Sequence, residues 1–125
     1  MPADELRESA ERGYAAFGQG DTDAAMANIA DSIQWIVGGD SSVTGTYTGK
    51  DEVLGFWEKL LEAGVTTNPS EFLADGNRVV VLTTVSAGGE SREVADVLTY
   101  DDDGNLTRFQ SFGGEDLLNQ AFPKG

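Results

Sequence analysis

The residue whose type and setting most clearly suit chemistry is Asp96, an acid inside an apolar run. It lies in the stretch 92–100, REVADVLTY, whose β-branched and aromatic residues predict a strand. Strand alternation puts four side chains on one face, those of Val94, Asp96, Leu98 and Tyr100. An unpaired carboxylate is costly to bury, so such a group is usually protonated, paired or used. Asp96 is therefore our first candidate for proton transfer.

Other roles for Asp96 stay open, and two weaker candidates accompany it. Asp96 could be held by a nearby Tyr or Thr, or paired with Arg92 or Arg108. Tyr14 lies on the apolar stripe of a predicted helix, where its hydroxyl could donate to a substrate or simply lie at the core's rim. Asp40, in the loop GGDSS, could act as a base over a pocket or be a solvated loop acid.

The composition excludes several kinds of catalytic and metal-binding site. The chain has 125 residues without a histidine or a cysteine. Disulfides, thiolate nucleophiles and serine–histidine hydrolysis are therefore excluded, and proton transfer must use carboxylates, tyrosine, lysine or water. The turn 101–105, DDDGN, lacks the ligand spacing and distal glutamate of a calcium loop, so we expect no metal site.

The charge balance bears on partners. The net charge is −14, from 22 acids against 8 bases. Nucleic acid and anionic membranes require a basic surface, so we expect neither as a partner. The acidic excess either maintains solubility or reflects a salty habitat. The first thirty residues lack a signal pattern, and no apolar run approaches the ~18 residues of a membrane span, so we expect a cytoplasmic protein.

The elements that must position these residues begin with helices. Residues 4–18 carry Leu6, Ala10, Tyr14 and Phe17 at helical spacing. A short second helix follows Asp21 or Thr22 as cap, and residues 32–37 predict a strand. The stretch 48–51, TGKD, resembles a capping box with Thr48 as cap, opening a helix that ends near Gly64.

The second half of the chain predicts antiparallel strands. Strands are expected around residues 71–73 and over 78–85, 92–100 and 105–112, followed by a terminal helical turn at 115–122. The whole chain is then one α+β domain, residues 1–125, with helices packed on one face of a curved sheet. Both faces of the strand 78–85 are largely apolar, which indicates a homodimer through the outer face.

The order of several motifs resembles one superfamily. These are GYAAFGQGD at 13–21, IADSIQW at 29–35, GTYTGKD at 45–51, DVLTY at 96–100 and LLNQAF at 117–122. Together they resemble the nuclear transport factor 2-like superfamily, most closely its SnoaL-like polyketide cyclase and ketosteroid isomerase branch. The resemblance implies a cone, in which three N-terminal helices close a strongly curved, mostly antiparallel sheet around a pocket.

The resemblance also implies roles for individual positions. Asp96 falls where ketosteroid isomerase has the acid of its oxyanion hole and near the catalytic aspartate of SnoaL-like cyclases. The isomerase's oxyanion tyrosine aligns one position before Tyr14. Its general-base aspartate aligns with Val37, which cannot take a proton. The Asp-Arg-Asp set of limonene epoxide hydrolase is also missing, because its arginine position falls at Val94. The chain therefore lacks a residue that each of these two mechanisms, that of ketosteroid isomerase and that of limonene epoxide hydrolase, requires.

Three functions stay open. The first is a cofactor-free cyclase or isomerase in which Asp96 moves a proton beside a carbonyl group, in a pocket that takes small apolar or polycyclic ligands. The second is a binding module without turnover, and the third an accessory dimer whose interior is filled. For the pocket we expect apolar ligand contacts from eight residues: Phe17, Trp35, Val37, Tyr47, Phe56, Trp57, Leu60 and Val81.

Overall fold

The structure, a computed structural model, describes residues 2–124. Two helices, α1 (Ala3–Gly18) and α2 (Thr22–Ala25), precede the strands β1 (Ile29–Val37) and β2 (Gly45–Thr48). The helix α3 (Lys50–Glu62) leads into β3 (Thr66–Asp75), β4 (Arg78–Ala87), β5 (Glu90–Tyr100) and β6 (Leu106–Phe112). The helix α4 (Glu115–Ala121) ends the described chain. This is the predicted α+β arrangement.

One curled sheet carries the whole fold. Its strand order is β2-β1-β6-β5-β4-β3, and all neighbours are antiparallel except β1 and β6, which are parallel. The helices α1, α2 and α3 close one side of this sheet, as in the expected cone. Because β5 pairs with both β4 and β6, Asp96 lies in the middle of the sheet, opposite Val81 on one side and Ser111 on the other.

The alternation predicted for the Asp96 strand is confirmed. Val94, Asp96, Leu98 and Tyr100 are all buried, whereas the residues between them are partly exposed. Inner-face side chains of β1 and β4 join the same core, together with Leu6 of α1 and Val53 of α3. The buried face of β5 is therefore the inside of the fold.

The start of α3 differs from the predicted capping box. Gly49, at φ 88°, is the N-cap residue and makes no side-chain cap bond. Thr48 belongs to β2, where it pairs with Gln34. The backbone N–H of Thr48 donates to Glu52 Oε1 at 3.0 Å. The acidic residue of the capping box is therefore Glu52, one position after the predicted Asp51. Glycine fits because the chain turns from strand to helix through positive φ.

The strand β3 is longer than the sequence pattern indicated. It includes Pro69, and its register with β4 shifts between Pro69 and Glu71. Because β3 is an edge strand, a residue without an N–H is tolerated there.

Within residues 2–124, no helix combines the length and the hydrophobicity needed to cross a bilayer.

Candidate functional site

A cavity of about 390 Å³ lies between the helices and the inner face of the sheet. This volume is within the usual range of small-molecule sites. The lining is mostly apolar and is contributed by α1, α2, α3, the inner face of the sheet and the start of α4. The fold therefore encloses open space where the sequence alone left a filled interior as an alternative.

Asp96 presents its carboxylate to this cavity. The residue is 4% exposed, and the hydroxyl of Tyr14 on α1 donates to its Oδ2. Ser111, its register partner on β6, also lines the cavity and lies beside this carboxyl. Tyr14 reaches this position because α1 crosses the sheet with the stripe of Ala10, Tyr14 and Phe17 facing inward.

The electrostatics of the Tyr14–Asp96 pair follow from burial. Burial raises the pKa of the Asp96 carboxyl, and the Tyr14 hydrogen bond and the nearby Ser111 side chain partly oppose that rise because they stabilise the charged form. Burial also raises the pKa of Tyr14 well above its usual value, and the neighbouring Asp96 raises it further. Tyr14 is thus a hydrogen-bond donor at neutral pH, and Asp96 is an acid shifted towards the range where it can exchange a proton.

Aromatic rings form one wall of the cavity. Trp35 stacks on Phe109 with ring centroids 3.7 Å apart and meets Trp57 edge-on at 5.5 Å. Phe17 of α1 meets the other side of Trp57, also at 5.5 Å. Such a wall suits a flat apolar ligand body.

The sequence-predicted residues divide into two groups. Eight of them line the cavity together: Tyr14, Phe17, Trp35, Val37, Phe56, Trp57, Leu60 and Asp96. Val37, where the isomerase's general base was expected, faces the cavity but cannot take a proton.

Three predicted residues lie outside the cavity lining. Asp40 is exposed, and its carboxylate accepts from Lys124 Nζ at 2.7 Å, because the loop after β1 packs against the C-terminal segment. Tyr47 stacks on Phe56 and donates to the backbone oxygen of Val43 at 2.6 Å. Val81 is fully buried in the core. The predictions of Asp40, Tyr47 and Val81 as pocket residues are therefore corrected.

Sequence reasoning missed several polar lining residues. Ser9 and Arg12 lie in the middle of α1, Tyr100 is the last residue of β5, and Ser111 pairs with Asp96. Tyr100 could have been found, because it shares the inner face of β5 with Asp96. Glu115 at the start of α4 also lines the cavity, and nothing in its local sequence marked it.

The described residues, 2–124, contain no group of three or more acidic, histidine or cysteine side chains placed to hold a metal ion. The polar side chains that line the cavity instead carry two carboxylates, several hydroxyls, an amide and a guanidinium. These groups suit hydrogen bonding and proton transfer to an organic ligand.

Fold and site together define a cone-shaped α+β protein with a buried acid, Asp96, that faces an internal cavity. Residues 10–109 match the model of the SnoaL-like domain, and the chain belongs to this family of the nuclear transport factor 2-like superfamily. No curated protein sequence matches the chain.

Solved structures with the same fold carry several names. An NTF2-like protein from Burkholderia xenovorans is 26% identical, with a TM-score of 0.78 and 98% coverage of each chain. A protein from Sinorhizobium meliloti named as a polyketide cyclase is 21% identical, with a TM-score of 0.73, covering 89% of this chain and 99% of its own. A protein from Kribbella flavida named as a ketosteroid isomerase is 17% identical, with a TM-score of 0.77, covering 98% and 81%.

Proposed function

We propose that this protein is a cofactor-free cyclase or isomerase that uses Asp96 for acid–base chemistry on a small carbonyl compound. The observation that carries the proposal is the buried Asp96 carboxyl, bonded by Tyr14, beside an aromatic-walled cavity. The cyclase and isomerase names of two structural neighbours support the same reaction class. In this proposal Phe17, Trp35 and Trp57 contact the apolar part of the ligand.

The proposed reaction needs only one acid–base group. The Asp96 carboxylate takes a proton from the carbon next to a carbonyl group, and the electron pair of that C–H bond becomes an enolate. Once Asp96 is neutral it accepts the Tyr14 hydrogen bond less strongly, so the Tyr14 hydroxyl can turn to the enolate oxygen. In a β,γ-unsaturated ketone the enolate is conjugated with the C=C bond. The neutral acid then returns its proton to the γ carbon while the double bond shifts next to the carbonyl group, which completes an isomerisation without loss of atoms.

The test compares Asp96→Asn with wild type on a panel of polycyclic ketones. The amide fits the same space but cannot accept the proton, so we expect turnover to fall at least about a hundredfold while binding is kept. Asp102→Asn is the matched control, because Asp102 is an exposed acid in the turn between β5 and β6. Equal turnover in wild type and Asp96→Asn would exclude this role for Asp96.

A binding module is the second candidate. It is favoured by Val37, which stands in the cavity where the isomerase has its base and cannot act as one. In that case ligands bind in the cavity and no ketone is converted. Ligand-dependent shifts in Trp35 and Trp57 fluorescence without product would identify it.

We also propose a homodimer through the outer face of the sheet. Two rows of apolar side chains lie there. One runs from β3 to β5 through the paired positions Leu73, Val80 and Val97, and the other runs from β4 to β6 through Leu82, Ala95 and Phe112. Leu73 and Phe112 are each 51% exposed. A second copy would cover an apolar surface that is otherwise left to water.

A further inference from the structure

Besides the Tyr14–Asp96 pair, the cavity has a second set of polar side chains, which we call its Arg12–Ser9–Tyr100 end. Arg12 and Ser9 contribute to it from α1, and Tyr100 contributes from the last position of β5. Tyr100 lies four residues beyond Asp96 on the same strand, so the two Cα atoms are about 13 Å apart at the usual rise of a strand. Tyr14, which bonds Asp96, lies two positions after Arg12 on α1, and besides burial and Asp96 the neighbouring Tyr100 raises the pKa of Tyr14. The two sets of polar groups are therefore close enough for one small ligand to contact both.

Arg12 is a cation without an internal partner. Among residues 2–124 it makes no ion pair, although Glu8 lies one helical turn earlier. Its neighbour Arg7, by contrast, pairs with Asp4 and Glu11 along α1. Of the described residues that line the cavity, Arg12 alone is basic. In a chain of net charge −14, this places a positive charge at a single point of the cavity.

The hydroxyls at this end also offer donors. Tyr100 is 4% exposed, and among residues 2–124 its hydroxyl makes no hydrogen bond, although it lines the cavity. Ser9 is 7% exposed and accepts from Asn28 Nδ2 at 3.1 Å, which leaves its own proton to donate. Burial raises the pKa of Tyr100, whereas the nearby Arg12 guanidinium opposes that rise.

We propose that the Arg12–Ser9–Tyr100 end of the cavity binds the carboxylate of a small organic acid. The apolar body of that acid packs on the wall of Trp35 and Phe109, and its far end reaches Asp96 and Tyr14. Three donors that line the same cavity, one of them charged, suit the two oxygens of a carboxylate better than the single oxygen of a neutral ketone. This inference rests on the proposed function, because it names the class of ligand that the same cavity takes.

The experiment compares an acid with its neutral isostere. The probes are naphthoate and naphthamide at neutral pH, with binding measured by calorimetry and by the fluorescence of Trp35 and Trp57, the chain's two tryptophans, which both line the cavity. We expect wild type to prefer naphthoate. Arg12→Gln should weaken naphthoate about ten- to a hundredfold and leave naphthamide unchanged.

Arg7→Gln is the matched control, since it removes the same charge from the same helix outside the cavity. It should leave both affinities unchanged. Tyr100→Phe keeps the ring and should weaken naphthoate by a smaller factor than Arg12→Gln does. Thermal unfolding of each variant verifies that the fold is intact.

The outcomes distinguish a failure of the carboxylate site from a failure of the proposed function. Equal binding of the two probes to wild type, or an acid preference that survives in Arg12→Gln, contradicts the carboxylate site and leaves the proposed function standing. Binding of neither probe contradicts both the ligand cavity and this site. Loss of turnover in Asp96→Asn with the acid preference intact would support both.

Discussion

The hydroxyl of Tyr14 donates to the carboxylate of Asp96, joining the first helix to the central strand across 82 positions of the chain. This contact fixes how α1 crosses the sheet and closes one side of the cavity. Two opposing influences act on the pKa of Asp96. Burial favours the neutral acid and raises the pKa, whereas hydrogen bonding favours the carboxylate and lowers it. The balance between the two can be measured.

Tyr14→Phe should raise the pKa of Asp96 further. The variant keeps the ring against Phe72 and removes the donor that stabilises the carboxylate. The measurement is the midpoint of the Asp96 carboxyl ¹³C titration. Tyr47→Phe is the matched control, because the Tyr47 hydroxyl bonds a backbone oxygen outside the cavity. An Asp96 midpoint that stays in place, or moves to lower pH, in Tyr14→Phe would contradict the pairing.

Asp96→Asn should stabilise the protein at neutral pH, because it removes the cost of burying a charged carboxylate. Because burial raises the folded-state pKa of Asp96 above its ordinary 3.8, wild type binds more protons when folded than when unfolded in the window above 3.8. Its stability therefore falls as pH rises through the folded pKa, and the advantage of the uncharged variant should vanish below about 3.8.

The measurement is urea unfolding of wild type and Asp96→Asn over that pH range. Asp102→Asn, the exposed counterpart, should show no such gain. A neutral-pH destabilisation by Asp96→Asn would mean that the hydrogen bonds outweigh the burial.

Gly114→Ala should cost more stability than Gly20→Ala. The two glycines have nearly the same backbone, φ 72° and φ 75°, so both variants carry the strain of a left-handed residue, about 1 kcal/mol. At Gly114 a Cβ would also lie 2.8 Å from Cγ1 of Val94, a stiff side chain, whereas at Gly20 it meets nothing within 4 Å.

We expect the clash to add about 1–3 kcal/mol for Gly114→Ala, measured by chemical unfolding of the two variants. Equal costs would show that α4 can move away from the cavity without penalty.

Leu73→Lys combined with Phe112→Lys should weaken self-association at least about tenfold, because it places charges on the exposed outer face of the sheet. Sedimentation velocity over a range of concentrations measures this. Leu61→Lys is the control, since Leu61 is an exposed leucine on α3, away from that face. A monomeric wild type would contradict the dimer.

Much of the fold was predictable because its signals are local. The inward face of β5 followed from alternation, and Asp21, a predicted cap of α2, accepts from the N–H of Ala24 at 3.1 Å. The capping of α3 was wrong by one position, because Thr48 satisfies strand pairing and Gly49 supplies the positive φ.

The site was less predictable because it depends on how distant elements pack. Alternation placed Asp96 inside, but no local pattern shows that Tyr14 meets it, since that depends on where α1 crosses the sheet. Tyr47 was misplaced for the same reason: β2 is an edge strand, and its aromatic ring packs under α3 instead of facing the cavity. Arg12 was missed because no sequence pattern shows that a solvent-exposed arginine of α1 also lines the cavity.

The most direct test of the account is the titration of Asp96 by carbon-detected NMR, with and without a panel of polycyclic ketones. We predict a carboxyl pKa raised above its ordinary 3.8 that shifts when a ligand binds, since the ligand removes water from the cavity that Asp96 faces. A pKa at or below that ordinary value, unchanged by every ligand, would contradict a working role for this acid.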